Sequence, residues 1–192
     1  YKRAAVDKID IETAADRFEQ NKGLNKMDVR ALPPVFPTPV FWELKEEKYK
    51  LQGKTEIYYY NDLGNEASYL QEQLQALFDT RIPKEKFQDP RFSVYKENRV
   101  IMNIVGGEPE SYRLEIDPET GILIYGADAA GVFYGIQSLL SLLPPEALKA
   151  PVTDIALPAI HIEDAPRFGY RGMHLDVSRS FHDKDKILLF LD

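Results

Sequence analysis

The chain has 192 residues, of which 44% are hydrophobic and 29% are charged, an ordinary composition for a soluble globular protein that can bury a sizeable core. Its formal net charge of −7 disfavours a general nucleic-acid binder, because phosphate contact requires a basic surface. The absence of cysteine excludes disulfides and thiolate metal sites, and no apolar run approaches the roughly 18 residues of a membrane span.

The first 31 residues are mixed in character and contain one predicted short helix, with Thr13 near its start and Gly23 closing it. The apolar stripe of this helix is thin, so we interpret residues 1–31 as a linker or as the tail of a preceding module. Four prolines follow between Pro33 and Pro39. Since proline fixes φ and lacks a backbone donor, they predict an extended connector, and we place a domain boundary there.

Strand and helix patterns alternate from Phe41 onward. A tyrosine-rich strand over 54–62 precedes a helix over 65–78, and a second strand over 99–105 stops at a Gly-Gly pair. The predicted helix carries its apolar residues on one face, namely Ala67, Leu70, Leu74, Leu77 and Phe78. Two further strands flank "DPETG", which predicts a β-hairpin.

The pattern "GADAAGVFYGIQSLLSLLPP" gives the strongest predicted helix, with Asp128 as its N-cap and Pro144-Pro145 at its end. Its stripe consists of Val132, Phe133, Ile136, Leu139, Leu140 and Leu143. Gly131 and Gly135 are four residues apart, and we interpret them as close packing against a sheet, because a membrane dimer motif needs about 20 apolar residues. Residues 32–160 are therefore predicted to form an α+β domain, an antiparallel-leaning sheet with helices on one face.

The C-terminal part begins with a strand-like connector after Pro151. "MHLDV" then predicts a short strand, and "DKDKILLFLD" predicts a helix with Asp183 as its cap and Ile187, Leu188 and Leu191 on its apolar side. A strand followed by a helix is typical of the first unit of a βα array. Residues 161–192 are thus predicted to be an incomplete array, which cannot bury its own core.

Three segments together resemble glycoside hydrolase family 20, the β-N-acetylhexosaminidases and chitobiases. "PRFGYRGMHLDVSRSFHDKDKILLFLD" resembles the start of the catalytic barrel, "GADAAGVFYGIQSLLSLLP" the last helix of the α+β domain before it, and "LPPVFPTPV" the beginning of that domain. The resemblance covers about residues 32–192 and implies an α+β domain followed by the truncated first βα unit of a (β/α)8 barrel. The implied protein is the N-terminal portion of an exo-acting enzyme that removes terminal N-acetylhexosamine.

The implied reaction is substrate-assisted retaining hydrolysis, in which the acetamido oxygen of the sugar attacks the anomeric carbon. In the family a glutamic acid protonates the leaving oxygen and a neighbouring aspartate orients the acetamido group. We expect no catalytic residue in this chain, since this Asp-Glu pair lies downstream of the barrel's first strand, and we expect the 192 residues alone to be inactive. The implied partners are glycans containing N-acetylglucosamine or N-acetylgalactosamine and the remainder of the barrel. Export to the periplasm or outside the cell is expected from the family alone.

Arg171 is the one substrate-binding residue that the resemblance implies, through contact with hydroxyls of the terminal sugar. A guanidinium fork with five donors suits that contact, yet Arg171 precedes its predicted strand, whereas barrel active sites lie at the carboxyl ends of strands. The residue type alone favours a salt bridge at the domain junction. A non-catalytic scaffold or carbohydrate-binding module is the alternative function.

Other candidate sites have weaker support. His174, Asp176 and Ser178 alternate along the predicted strand, but side chains two apart point the same way and do not converge as a catalytic triad does. We expect Asp176 and Arg179 to have structural roles or to support the residues that contact the sugar. The three histidines have no metal-ligand spacing, and the Gly-Gly pair lacks the residues of a phosphate loop, so neither a metal nor another cofactor is expected.

Overall fold

A computed structural model describes residues 12–25, 28, 32–87, 98–177, 179 and 181–191. The helices are α1 (Ala14–Asn21), α2 (Gly64–Phe78), α3 (Ala129–Ser141) and α4 (Lys184–Leu191), with a short 3-10 helix at Pro145–Leu148. The strands are β1 (Phe41–Gln52), β2 (Glu56–Tyr59), β3 (Lys84–Lys86), β4 (Arg99–Ile104), β5 (Tyr112–Asp117), β6 (Gly121–Gly126) and β7 (Asp154–Asp164).

The seven strands form one mixed sheet in the order β1-β7-β5-β6-β4-β2-β3. The β1–β7, β7–β5 and β5–β6 pairs are antiparallel, which confirms the predicted hairpin, whereas β6–β4, β4–β2 and β2–β3 are parallel. The α+β class is confirmed, but "antiparallel-leaning" is correct for only one half of the sheet. The β2–β3 pair is parallel because α2 carries the chain from the end of β2 back to the start of β3, as crossover helices do.

Helices α2 and α3 pack on the same face of the sheet and against each other, as predicted. All five predicted apolar residues of α2 are buried. On α3, Val132, Ile136 and Leu139 are buried, but Phe133 keeps 37% of its surface exposed. Its ring lies 5.3 Å from that of Tyr69 on α2, so Phe133 fills the groove between the two helices and does not face the sheet.

Two glycines let α3 approach the sheet closely. A Cβ atom on Gly131 would lie 2.2 Å from the carbonyl oxygen of Ser111, and one on Gly135 would lie 2.6 Å from Cγ2 of Ile124. Neither distance is possible for real atoms, so the interpretation of this glycine pair as a packing device is confirmed.

Strands β1 and β7 depart most from the sequence-based expectations. The charged β1 was not predicted as a strand, and only Tyr49 and Leu51 are buried along it. β7 was predicted as a strand-like connector, and it is a complete strand that lies inside the sheet between β1 and β5. β7 also runs past residue 160, the predicted domain boundary, to Asp164.

The two ends of the described chain differ in how well they match expectation. Thr13 caps α1 with its side chain, as predicted, and every residue of α1 is exposed. Asp183 accepts a hydrogen bond from the backbone N–H of Lys186 at 2.9 Å, which confirms it as the cap of α4. The predicted strand at 173–177 does not form. A strand requires a hydrogen-bonded neighbour, and this segment has none in the part of the chain that is described, so the first βα unit is present only as its helix.

None of the described helices combines the length and the apolar character needed to cross a bilayer.

Candidate functional site

A cleft of about 640 Å³ lies where the proline-rich connector, α3 and the segment after β7 meet. Its walls are largely apolar, with charged groups at its rim. It is lined by Val35, Phe36, Pro37, Thr38, Glu110, Tyr112, Tyr134, Gln137, Ser138, Ser141, Asp164, Ala165, Pro166, Arg167, Phe168 and Arg171. The candidate sugar-binding residue Arg171 therefore lies at this junction.

The guanidinium of Arg171 is engaged by the protein itself. Its Nη2 donates to Oε2 of Glu110 and lies 3.5 Å from the hydroxyl of Tyr134, while its Nη1 donates to the carbonyl oxygen of Phe168 at 2.8 Å. The carboxylate of Glu110 raises the pKa of Arg171, and the Tyr134 hydroxyl adds to this effect. These contacts are those of a junction salt bridge. The predicted contact of Arg171 with a sugar remains a prediction.

The loop that carries Glu110 is braced by the start of α3. Glu110 has a φ of +64°, and its backbone N–H donates to Oδ2 of Asp128 at 3.0 Å. The other oxygen of Asp128 accepts from the N–H of Gly131 at 2.8 Å, which confirms Asp128 as the cap of α3. These two backbone donors hold the pKa of Asp128 below its usual value, the bond from Gly131 contributing most.

The floor of the cleft contains a buried pair of hydroxyls. The hydroxyls of Tyr112 on β5 and Ser138 on α3 are 2.6 Å apart, and burial raises the pKa of Tyr112. This bond joins α3 to β5 within the lining of the cleft.

The other candidates from the sequence do not join this cleft. Arg179 donates from Nε to Oδ2 of Asp176 at 2.5 Å, and its backbone N–H donates to Oδ1 at 3.1 Å, in an exposed local turn. His174 is exposed, and Ser178 lies outside the described residues, so the triad hypothesis is not tested. His161 lies on β7, where Nε2 is 2.9 Å from Oε1 of Glu163. Across the described ranges, no cluster of histidine and carboxylate side chains has the arrangement of a metal site.

The partners of Arg171 were missed by the sequence analysis. Glu110 is 61 positions away and Tyr134 is 37 positions away, and both lie in patterns that report only a turn and a helix. The only signal was the Gly-Gly pair before Glu110, because it predicts a tight loop at the end of a strand.

The family model described as "Glycosyl hydrolase family 20, domain 2" matches residues 32–165. The chain belongs to glycosyl hydrolase family 20. This confirms the family resemblance that the three sequence motifs indicated.

Relatives and solved structures agree with the family assignment. The chain is 31% identical over 197 residues to a β-hexosaminidase of Vibrio vulnificus and 29% identical over 210 residues to an N,N′-diacetylchitobiase of Vibrio harveyi. Both alignments cover 100% of this chain but 20% of the relative, so the chain spans about a fifth of the length of these relatives. Its structure is similar to that of Streptomyces plicatus N-acetyl-β-hexosaminidase in complex with thio-NAglucal, with a TM-score of 0.68 and 28% identity over 84% of this chain and 32% of that chain.

Proposed function

We propose that this chain is the α+β domain and the start of the catalytic barrel of an exo-acting β-N-acetylhexosaminidase. The family match over residues 32–165 carries the proposal, and the names of the relatives support hexosaminidase activity. The substrates would be glycans that end in β-linked N-acetylglucosamine or N-acetylgalactosamine. An exported enzyme is part of the proposal, because glycans of this kind are met mostly outside the cytoplasm.

The proposed reaction is substrate-assisted hydrolysis with retention of configuration. The acetamido oxygen of the sugar attacks the anomeric carbon while a glutamic acid protonates the leaving oxygen, and an adjacent aspartate orients the acetamido group. The printed sequence contains no Asp-Glu dipeptide. In this proposal the catalytic pair is supplied by residues other than these 192, and the α+β domain has a supporting role.

Two arginines are candidates for contact with the terminal sugar. Arg171 is proposed from the family resemblance, but its donors already bind Glu110 and Phe168. Arg179 lies just beyond the carboxyl end of 173–177, the end at which barrel active sites lie, and its side chain is 88% exposed. In a complete barrel, strand direction therefore favours Arg179 as the residue nearer the sugar.

The proposal is tested by comparing two polypeptides on an aryl N-acetyl-β-glucosaminide. The 192-residue chain should release no phenol from this substrate above background, whereas a longer protein that contains this chain and the rest of a barrel should be active. Turnover by the pure 192-residue chain, or none by the longer protein, would contradict it. If the longer protein binds chitin fragments without cleaving them, the alternative of a non-catalytic carbohydrate-binding module is correct.

A further inference from the structure

We propose that Glu110 is a positioning residue: through Arg171 it fixes the segment that leads from the α+β domain into the barrel. This inference rests on the proposed function, because what it positions is the first strand of the catalytic barrel. The contacts that carry it are all within the described chain.

The backbone of Glu110 is held in place before its side chain makes any contact. A non-glycine residue with positive φ persists only where its surroundings enforce that conformation, and such residues cluster at functional sites. Here the enforcement comes from Asp128, which accepts the Glu110 N–H at 3.0 Å. The neighbouring Ser111 accepts from the N–H of Ala127 at 2.9 Å and packs against Gly131. The loop is thus locked to the N-terminus of α3.

The carboxylate of Glu110 is held from two sides. Its Oε2 accepts from the hydroxyl of Tyr134 at 3.2 Å and also from Nη2 of Arg171. Tyr134 belongs to α3, the helix that braces the loop, so the carboxylate has a fixed position relative to the sheet. A carboxylate held in this way presents Arg171 with an acceptor that requires little rearrangement.

Arg171 links this fixed carboxylate to the segment that follows β7. Its contacts with Glu110 and Phe168 form the Arg171 clamp. Its Nη1 donates to the Phe168 carbonyl at 2.8 Å, which ties the Arg171 side chain to the backbone three residues earlier. Two earlier contacts hold the same segment: Oδ1 of Asp164 accepts from the N–H of Val40 at 3.0 Å, and Nη2 of Arg167 donates to the Thr38 carbonyl at 3.1 Å.

After Arg171, seven large apolar side chains of the described chain are exposed, whereas Ile187 is partly buried. The exposed ones are Met173, Leu175, Val177, Phe181, Leu188, Leu189 and Phe190. The contacts of Arg171 with Glu110 and Tyr134 thus join the α+β domain to the beginning of the part that is to become the barrel.

The position of this clamp determines where the first barrel strand can begin. Asp176 and Arg179 follow Arg171 by five and eight residues. At about 3.3 Å per residue, an extended strand would place Asp176 roughly 16 Å further along. A shift of the amino end is transmitted to the carboxyl end, where barrel chemistry takes place, and a displacement of about 1 Å can cost a large factor in rate.

The first experiment uses the 192-residue chain and measures, by mass spectrometry, the rates at which trypsin cleaves after Arg167 and after Arg171. Glu110→Gln keeps the shape of the side chain but removes its charge, and Glu108→Gln is the matched control in the same loop. We expect both cleavage rates to rise about two- to fivefold in Glu110→Gln, with an unchanged midpoint of urea unfolding. Tyr134→Phe should change the rates in the same direction by a smaller factor. Equal rates in the Glu110→Gln and Glu108→Gln variants would overturn the proposal.

The second experiment uses the longer enzyme and measures kcat and KM on an aryl N-acetyl-β-glucosaminide. Glu110→Gln should lower kcat severalfold with little change in KM, whereas Glu108→Gln should match the unmodified enzyme. Faster tryptic cleavage with normal kcat would show that the clamp exists but positions nothing, which overturns the inference and leaves the proposed function intact. An inactive unmodified enzyme would instead refute the proposed function, and the positioning role with it.

Discussion

The main-chain N–H of Glu110 donates to Oδ2 of Asp128, the carboxylate whose other oxygen caps α3. One side chain therefore satisfies an orphan donor at the helix start and fixes a loop residue with a positive φ. The cap and the loop that reaches Arg171 are a single unit for this reason.

Replacing Asp128 should separate these two roles. Asparagine can still cap α3 through its carbonyl oxygen, but its amide group cannot accept from Glu110. Alanine loses both bonds. We expect Asp128→Ala to lower the free energy of unfolding by about 1–3 kcal/mol and Asp128→Asn by roughly half as much. Urea unfolding measures both, and an Asp128→Asn variant as stable as the unmodified chain would show that the bond to Glu110 contributes nothing.

The same carboxylate should make stability depend on acid. The folded-state pKa of Asp128 is lowered, so its contribution is complete above the ordinary value of 3.8 and is lost as pH falls through the lower folded value. The stability difference between the unmodified chain and Asp128→Asn should therefore be constant at neutral pH and shrink below about pH 4. Unfolding curves at a series of pH values test this. A difference that grows on acidification would mean that the pKa is raised.

Gly131→Ala should be strongly destabilising. The added methyl would lie 2.2 Å from a backbone oxygen, so α3 would have to move away from the β4–β5 loop. We expect a loss of about 1–3 kcal/mol or more, measured by thermal or urea unfolding. Gly64→Ala at the start of α2 is the control, because no atom lies within 4 Å of the new methyl, and it should be neutral or slightly stabilising. Similar effects at the two positions would contradict the packing argument.

The pair Tyr112 and Ser138 offers a double-mutant cycle in the floor of the cleft. Ser138→Ala leaves the buried Tyr112 hydroxyl without its partner, which should cost about 1–3 kcal/mol. Tyr112→Phe made in the Ser138→Ala background should recover part of that loss, since it removes the stranded hydroxyl. Urea unfolding of the four proteins gives the coupling energy, and strictly additive losses would mean that the two hydroxyls do not interact.

Local patterns predicted the elements in which each face meets one environment, either the core or the solvent, along its whole length. Helix α2 has apolar residues on one face and polar residues on the other, and the hairpin has its turn chemistry between two apolar runs, so both were found. β1 was missed because it is an edge strand, whose charged side chains discourage pairing with other molecules but hide its period of two.

The candidate site could not be predicted from local sequence patterns, because the residues that form it are far apart in the chain. Glu110 and Arg171 meet because β7 pairs with β5 and ends beside the loop before β5, so that residues 165–171 lie close to Glu110. Nothing near either residue encodes that meeting. The predicted strand at 173–177 has the right residues for a strand, but a strand also needs a neighbour, and that requirement is not local.

The two arginines at the start of the barrel can be told apart by kinetics in the longer enzyme. Arginine to lysine keeps the charge but removes the planar fork that can hold two hydroxyls. At the residue that contacts the sugar, this change should lower kcat/KM by roughly ten- to a hundredfold, and the penalty should shrink for a substrate that lacks one of the bound hydroxyls.

We expect Arg179→Lys to behave in this way while leaving the melting temperature near normal. Arg171→Lys should instead lower kcat/KM by the same factor for both substrates and lower the melting temperature, because its fork binds Glu110 and Phe168. If the penalty of Arg171→Lys depends on the substrate hydroxyl and that of Arg179→Lys does not, Arg171 is the sugar-binding residue and its bond to Glu110 must open when substrate binds.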